Sequence, residues 1–240
     1  MEWIEEVNCV VCGSKEIQYH GFGIVPVIRF PEVLNNAPLA VITTYSVCEC
    51  GLIFQNPHMD SQGVDDFYKS GMYRKLVMTP SEEDMERDER DGQIEWSNFV
   101  NSGKHLDIGC SRGLMLELTK AKGCEVLGVE PNKDYVNFGV PSVSSIYEVE
   151  GEWDTITCKH VLEHVPELNK FIDKMVSLLN PGGTLYLEVP AEGAPGASAR
   201  LPHLYMFTES VIRKLFGKLT IENYQAVPHH FFVMKKEVTK

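Results

Sequence analysis

Positive charge is scarce in this chain of 240 residues: 22 Lys and Arg face 34 Asp and Glu, a formal net charge of −12. Proteins that grip nucleic acid through its phosphates need clustered Lys and Arg, so the charge argues against that class. No uninterrupted apolar run approaches the length of a membrane span. The acidic opening, Met1-Glu2-Trp3-Ile4-Glu5-Glu6, lacks the basic start of a secretory leader. With seven cysteines, an odd number, and no leader, a disulfide framework is not expected and a reducing cytoplasm is. Internal repeats and low-complexity tracts are absent. A content of 43% hydrophobic and 23% charged residues excludes wholesale disorder.

What is present is unevenly distributed. Residues 1–103 hold 17 acidic and 7 basic side chains, whereas residues 104–240 hold 17 and 15. The cysteines divide the same way, with Cys9, Cys12, Cys48 and Cys50 near the front and Cys110, Cys124 and Cys158 scattered later. The front four form Cys9-Val-Val-Cys12-Gly13 and Cys48-Glu-Cys50-Gly51. Each pair ends in Cys-Gly, where glycine permits the tight turn of a metal knuckle. Four thiolates suit tetrahedral zinc with a structural role, four buried free thiols being the alternative. The second spacing is one residue short, so His20 and His58 stand as substitute ligands. Between the knuckles, short β-branched runs broken by Pro26, Pro31 and Pro38 predict a small β-rich module.

Residues 61–75 then read as a helix and a lid, and Thr79-Pro80-Ser81-Glu82 as the start of a helix to about Val100, with Gly92 as an interruption. From Lys104, strand and helix alternate, with strands at 105–108, 125–129, 153–158 and 184–189 and helices at 114–122, 132–138 and 168–179. Such alternation predicts βαβ units on a parallel sheet. A helix at 208–216 and late strands at 219–224 and 231–234 predict an antiparallel hairpin at one edge.

The turn after the first of these strands reads Asp107-Ile108-Gly109-Cys110-Ser111-Arg112-Gly113. A dinucleotide fingerprint needs glycine at 111 and 114, which are Ser and Leu, so the nicotinamide reading fails. A carboxylate facing the turn repels a pyrophosphate and suits a cation. Glu130, ending the next strand, is placed to accept both hydroxyls of a ribose. Adenosine with a positive charge and no phosphate describes S-adenosylmethionine.

The segment 107–113 with Glu130 resembles class I S-adenosylmethionine-dependent methyltransferases. Residues 153–166, containing Lys159-His160-Val161-Leu162-Glu163-His164, look like that family's fourth-strand block, and residues 178–185 like its turn into strand five. The front module is similar to the zinc-binding module of some bacterial sugar and small-molecule methyltransferases. The resemblance implies a Rossmann-like, mostly parallel seven-stranded α/β sheet with an antiparallel C-terminal hairpin. The expected division is 1–60 zinc module, 61–103 connector or lid, and 104–240 methyltransferase domain. It also implies that Asp107, Gly109, Cys110, Ser111 and Gly113 surround the methionine portion and Glu130 the ribose. Pro131 and Asn132 then take the adenine side, with Lys159 and His160 beside the methyl-bearing sulfur. Ser111 and Arg112 depart from the family's pattern, and its adenine-amino contact has no counterpart that can be assigned in 140–152.

The implied activity is methyl transfer from S-adenosylmethionine to a small-molecule or nucleotide-sugar acceptor, leaving S-adenosylhomocysteine. A cofactor-binding interaction protein without turnover and an RNA methyltransferase are the alternatives. If the acceptor must lose a proton, His160 and His164 are the candidate bases. His229 and His230 read as loop residues, Tyr68 and Tyr73 as core, and residues 191–203 as a loop on the acceptor side.

Overall fold

The computed structural model describes residues 4–5, 7–29, 38–70, 82–191, 203–226 and 229–238, with side chains for 7–20, 44–70, 90–191, 203–226 and 229–238. Strands β1 (Ile4–Glu5), β2 (Ile17–Arg29), β3 (Pro38–Cys48), β4 (Ile53–Gln55) and β5 (His58–Met59) come first. Helices α1 (Ser61–Lys69) and α2 (Glu82–Ser97) follow. The remainder is β6 (Lys104–Ile108), α3 (Leu114–Ala121), β7 (Glu125–Val129), β8 (Ser142–Val143), β9 (Trp153–Lys159), α4 (Leu168–Leu178), β10 (Leu179–Pro190), β11 (Tyr205–Met206), α5 (Glu209–Leu215), β12 (Thr220–Gln225) and β13 (His229–Lys235).

The seven-stranded sheet has the order β12-β13-β10-β9-β6-β7-β8. Strands β8, β7, β6, β9 and β10 pair in parallel, and β13 is antiparallel to both β10 and β12. Only β13 therefore runs against the rest. One face of the parallel strands is apolar, with Leu106, Ile108, Ile156, Cys158, Leu185 and Leu187 all buried on the same side, while the other face buries the polar residues His105, Asp107 and Thr157. Helix α4 sets Leu168, Phe171, Ile172, Met175 and Leu178 toward this core, at the 3–4 residue spacing of one helical face.

Three expectations need correction. Residues 132–138 form only a 3₁₀ turn, Lys133–Tyr135. The Asn132 side chain starts that turn by accepting the Asp134 amide, and the Arg112 carbonyl then takes the Asn137 and Phe138 amides, drawing the chain out of helix. Gly92 does not interrupt α2, and Thr79–Ser81 lie outside the described residues. Pro26 does not end a strand: it falls in the register shift between Val25 and Ile28 of β2, which pairs on one side only and so tolerates a missing donor. Pro31, Met72 and Tyr73 lie outside the described residues.

The front of the chain is built into the rest. The second sheet has the order β11-β4-β3-β2, so a strand from beyond residue 200 completes it through Tyr205 opposite Phe54 and Met206 opposite Ile53. Cys9, Cys48, Leu52 and Phe54 belong to the same buried cluster as Leu106, Ile156, Leu187 and Phe207. Replacing Phe54 with Ala should therefore destabilise the whole chain by about 3–5 kcal/mol. Chemical denaturation followed by far-UV and tryptophan signals should show one transition shifted to lower denaturant. A separate early transition with the main one unmoved would contradict this continuity.

Candidate functional site

A cleft of about 1120 Å³ opens at the carboxyl ends of the parallel strands, where open α/β sheets bind ligands. Its floor comes from the turn between β6 and α3. The Val129 carbonyl accepts both the Gly109 amide (2.8 Å) and the Cys110 amide (3.1 Å), tying this turn to the end of β7. Gly109 has φ of +79°, and a Cβ there would run into Val161. Gly113, at φ +86°, leaves 2.5 Å between an added Cβ and Val140. Ser111 takes the same left-handed region at φ +50° without being glycine, a conformation costing about 1–2 kcal/mol. Its amide donates to Glu130 (3.1 Å), and the Asn132 amide donates to the other oxygen of the same carboxylate (3.0 Å).

These bonds define what the turn offers a ligand. The amides of Gly109, Cys110, Ser111 and Gly113 are all engaged within the protein. Asp107, Gly109, Ser111, Glu130, Pro131, Lys159, His160 and His164 line the cleft; Cys110, Gly113 and Asn132 do not. The Cys110 side chain is buried in a cluster with Val100, Leu116, Cys124, Val126 and Val140. Asn132 acts instead through its amide on Glu130 and as the cap of the 3₁₀ turn. Arg112 does not line the cleft either. Sequence reasoning missed Ser144, Ser145, Ile146 and Tyr147, which follow β8 and line the cleft near Glu130 and Pro131. No spacing rule marks them, because a two-residue strand leaves hardly any pattern.

Behind the cleft runs a buried polar chain. The Thr157 hydroxyl donates to Asp107 (2.8 Å), which leaves its oxygen to accept from His105 Nε2 (2.9 Å). His105 Nδ1 then faces the Thr119 hydroxyl at 3.0 Å. Burial, with a smaller contribution from Lys122, lowers the His105 pKa to about 3, so the ring is neutral. Burial, reinforced by Glu130 and opposed by the Thr157 bond, raises that of Asp107 to about 7. A cation beside Asp107 would draw it to the carboxylate.

The opposite wall carries histidines and glutamates. His160, at φ +52° just beyond β9, has Nε2 3.1 Å from Glu188 and Nδ1 3.5 Å from Glu163. Burial opposes its charge, but these two carboxylates outweigh burial and lift its pKa to about 9. His164 lies on the 3₁₀ turn Leu162–His164, its Nε2 3.7 Å from Glu163. Lys159 packs over the Trp96 ring at 5.1 Å, with Nζ 3.3 Å from Glu188. The reading of His229 as a loop residue is corrected: it begins β13, lines the cleft, and lies edge-on to the His160 ring at 4.6 Å. Its neighbour His230 is also in β13, its Nδ1 2.8 Å from the Tyr224 hydroxyl. Tyr68 packs against the core as expected and also lines the cleft, edge-on to His164. His203 closes this wall, whereas residues 192–202 lie outside the described residues.

At the front of the chain, the Cys9, Cys12, Cys48 and Cys50 sulfurs lie within 4.8 Å of one another. The turns that gather them close on Gly13 and Gly51, at φ +73° and +91°. The Gly13 amide donates to the Cys9 carbonyl and that of Gly51 to Cys48. His58 is buried elsewhere, against Tyr205, and is not part of this group.

The arrangement of strands, turn and cleft is that of a methyltransferase domain. The methyltransferase domain family matches residues 84–225, more than half of the chain, and the chain belongs to that family. Over 97 residues it is 34% identical to the ubiquinone biosynthesis O-methyltransferase of Xanthomonas campestris pv. campestris, covering 34% of this chain and 41% of the relative. The corresponding protein of Coxiella burnetii is 30% identical over 99 residues, covering 35% and 42%. The chain thus spans less than half the length of these curated relatives. The Burkholderia thailandensis 1,6-didemethyltoxoflavin-N1-methyltransferase, solved with S-adenosylhomocysteine, shares the fold at TM-score 0.59 and 16% identity, over 81% of this chain and 96% of its own. Magnesium protoporphyrin IX methyltransferase from Synechocystis PCC 6803 does so at 0.56 and 17%, over 74% and 100%.

Within the buried chain, His105 lowers stability toward acid while Asp107, its pKa raised to about 7, acts in the opposite sense. A neutral His105 with a folded pKa near 3, against 6.5, binds fewer protons than in the unfolded chain. Its contribution is complete above about pH 7 and is lost as pH falls toward 3. In thermal melts, His105→Gln should lower the melting temperature at pH 7 and show a shallower further decline between pH 6.5 and 4 than the parent chain. Parallel declines would contradict the assignment.

Proposed function

We propose that the chain transfers a methyl group from S-adenosylmethionine to a small-molecule acceptor. The observation that carries this reading is the buried Asp107 beside an amide-held Glu130 at a turn whose own amides are already engaged. Such a turn has carboxylates for a cation and a ribose, while four of its amides are turned to protein acceptors and away from a phosphate. The bound S-adenosylhomocysteine of the Burkholderia relative supports the same choice. When bound, the cofactor supplies an activated methyl group on a good leaving group.

The chain's own residues orient and enclose. Asp107, held by Thr157, faces the amino group of the methionine portion, and Glu130 accepts from the ribose hydroxyls. Pro131 and the wall from Ser144 to Tyr147 enclose the adenine. Gly109 and Gly113 keep the turn close without side chains, while Ser111 sends its amide back to Glu130. Lys159 adds little repulsion toward a sulfonium because Glu188 faces it at 3.3 Å. His160 and His164 belong to the acceptor side of the reaction. Positioning and exclusion of water supply most of the rate, since the leaving group needs little help.

A hydroxyl-bearing acceptor fits a wall of histidines and carboxylates, and the curated relatives are named as O-methyltransferases. A nucleotide sugar belongs to the same class, and turnover across a panel of hydroxyl acceptors separates the two. We also propose that Cys9, Cys12, Cys48 and Cys50 hold one structural zinc. Four soft donors within 4.8 Å match a closed tetrahedral site with no position left for substrate.

The cofactor reading is tested by calorimetry with S-adenosylhomocysteine. Glu130→Ala should weaken binding by about 1–3 kcal/mol through lost charge-assisted hydrogen bonds. Because Asp107 ionises near pH 7 and a cationic amine favours its charged form, affinity should fall roughly tenfold per pH unit below 7. Asp107→Asn should bind more weakly and lose that dependence. No binding by the parent chain, or binding of a nicotinamide dinucleotide instead, would remove this reading. Elemental analysis should find zinc in the chain, with one equivalent lost on replacing Cys9 and Cys12 with Ser.

A further inference from the structure

Of the charged groups around the cleft, Glu163 is the least accounted for. It is 0% exposed, and neither of its oxygens makes a hydrogen bond among the described residues. Its nearest charged contacts are imidazoles, His160 Nδ1 at 3.5 Å and His164 Nε2 at 3.7 Å, both longer than hydrogen bonds. Leaving both oxygens of a buried carboxylate without a hydrogen bond is costly, and the His160 imidazolium, shared with Glu188 at 3.1 Å, answers only part of that cost. Glu188, by comparison, already has Lys159 at 3.3 Å.

Glu163, His164 and His203 each offer one ligand atom, and these atoms lie within 4.8 Å of one another. All three residues border the cleft. The backbone holds them in register. The Leu204 amide donates to the Glu163 carbonyl at 2.7 Å, and the Tyr205 hydroxyl to the Pro166 carbonyl at 3.0 Å. Gln55 Nε2 and the Tyr45 hydroxyl both donate to the His203 carbonyl, at 2.8 and 3.2 Å. Two donor segments far apart in sequence are thus pinned to each other, and the second is also pinned by the front sheet.

We propose that Glu163, His164 and His203 form a binding site for one divalent transition-metal ion on the acceptor side of the cleft. Two imidazoles and one carboxylate favour zinc, iron(II), cobalt(II) or manganese(II) over calcium or magnesium, which take oxygen ligands. A three-ligand site keeps coordination positions open, and here they face the cleft. If the methyl-transfer reading holds, those positions receive oxygen atoms of the acceptor and orient them. His160, with Nδ1 3.5 Å from Glu163, borders the site. The ion also gives the unbonded oxygens of the buried carboxylate a partner whether or not methyl transfer occurs.

The test uses the full chain with its cysteine cluster loaded with zinc, titrated with cobalt(II) alone. Equilibrium dialysis should find one further equivalent bound. X-ray absorption at the cobalt edge should show a nitrogen and oxygen shell with imidazole scattering and no sulfur. Glu163→Gln and His203→Ala should each weaken uptake at least tenfold, in keeping with the loss of a direct ligand. Retained stabilisation of both variants by S-adenosylhomocysteine should show that the cleft is intact. Failure of the parent chain to take up cobalt beyond the cysteine cluster overturns the proposal. So does a sulfur shell, or uptake unchanged in folded variants. Cobalt uptake in a chain that does not bind S-adenosylhomocysteine would support the metal site while removing the methyl-transfer reading.

Discussion

One carbonyl holds the cleft together. Val129 O accepts two successive amides from the turn after β6, so the ends of two neighbouring strands cannot slide apart. That lock places Asp107 at the close of one strand and Glu130 just past the other, with Ser111 and Asn132 amides orienting Glu130. It also dictates the backbone of residues 109–113, where three positions adopt left-handed conformations. The same bonds, with the Glu130 carboxylate on the Ser111 amide, engage four amides of the turn that a phosphate would otherwise take.

The second organising feature is the contact between the front sheet and the acceptor wall. Strand β11 belongs by sequence to the back of the chain and by pairing to the front. Its neighbour His203 has its carbonyl held by Tyr45 and Gln55, so the front sheet reaches the cleft through hydrogen bonds. A structural metal at Cys9, Cys12, Cys48 and Cys50 would therefore act on more than local stability. By stiffening the turns around β3, it would fix the segment that presents His203.

Much of this was legible from residue order because it depends on local chemistry. The glycines of the turn, the carboxylates at two strand ends and the paired cysteines are each specified within a few residues. The alternation of strands and helices likewise follows from hydrophobic periodicity. The expected helix at 132–138 failed because Arg112, twenty residues earlier, supplies a carbonyl that captures two of its amides. His229 was misplaced, and the cleft-facing side of the core residue Tyr68 was missed, for a related reason: a lone aromatic or histidine carries no spacing signal, and only its neighbours in space give it a role.

From its sequence alone, this protein's fold class, the position of its glycine-rich turn and the grouping of four cysteines could be read. Each is written in short-range patterns of size, charge and backbone freedom. The tertiary structure decided which of those residues face the cleft, turning Cys110 inward and Asn132 to capping while bringing Ser144 to Tyr147 beside Glu130. It also gathered His160, Glu163, His164, His203 and His229 on one wall, from elements separated by up to about seventy residues. Convergence of that kind is set by strand pairing and loop closure across the whole chain, which no window of the sequence contains.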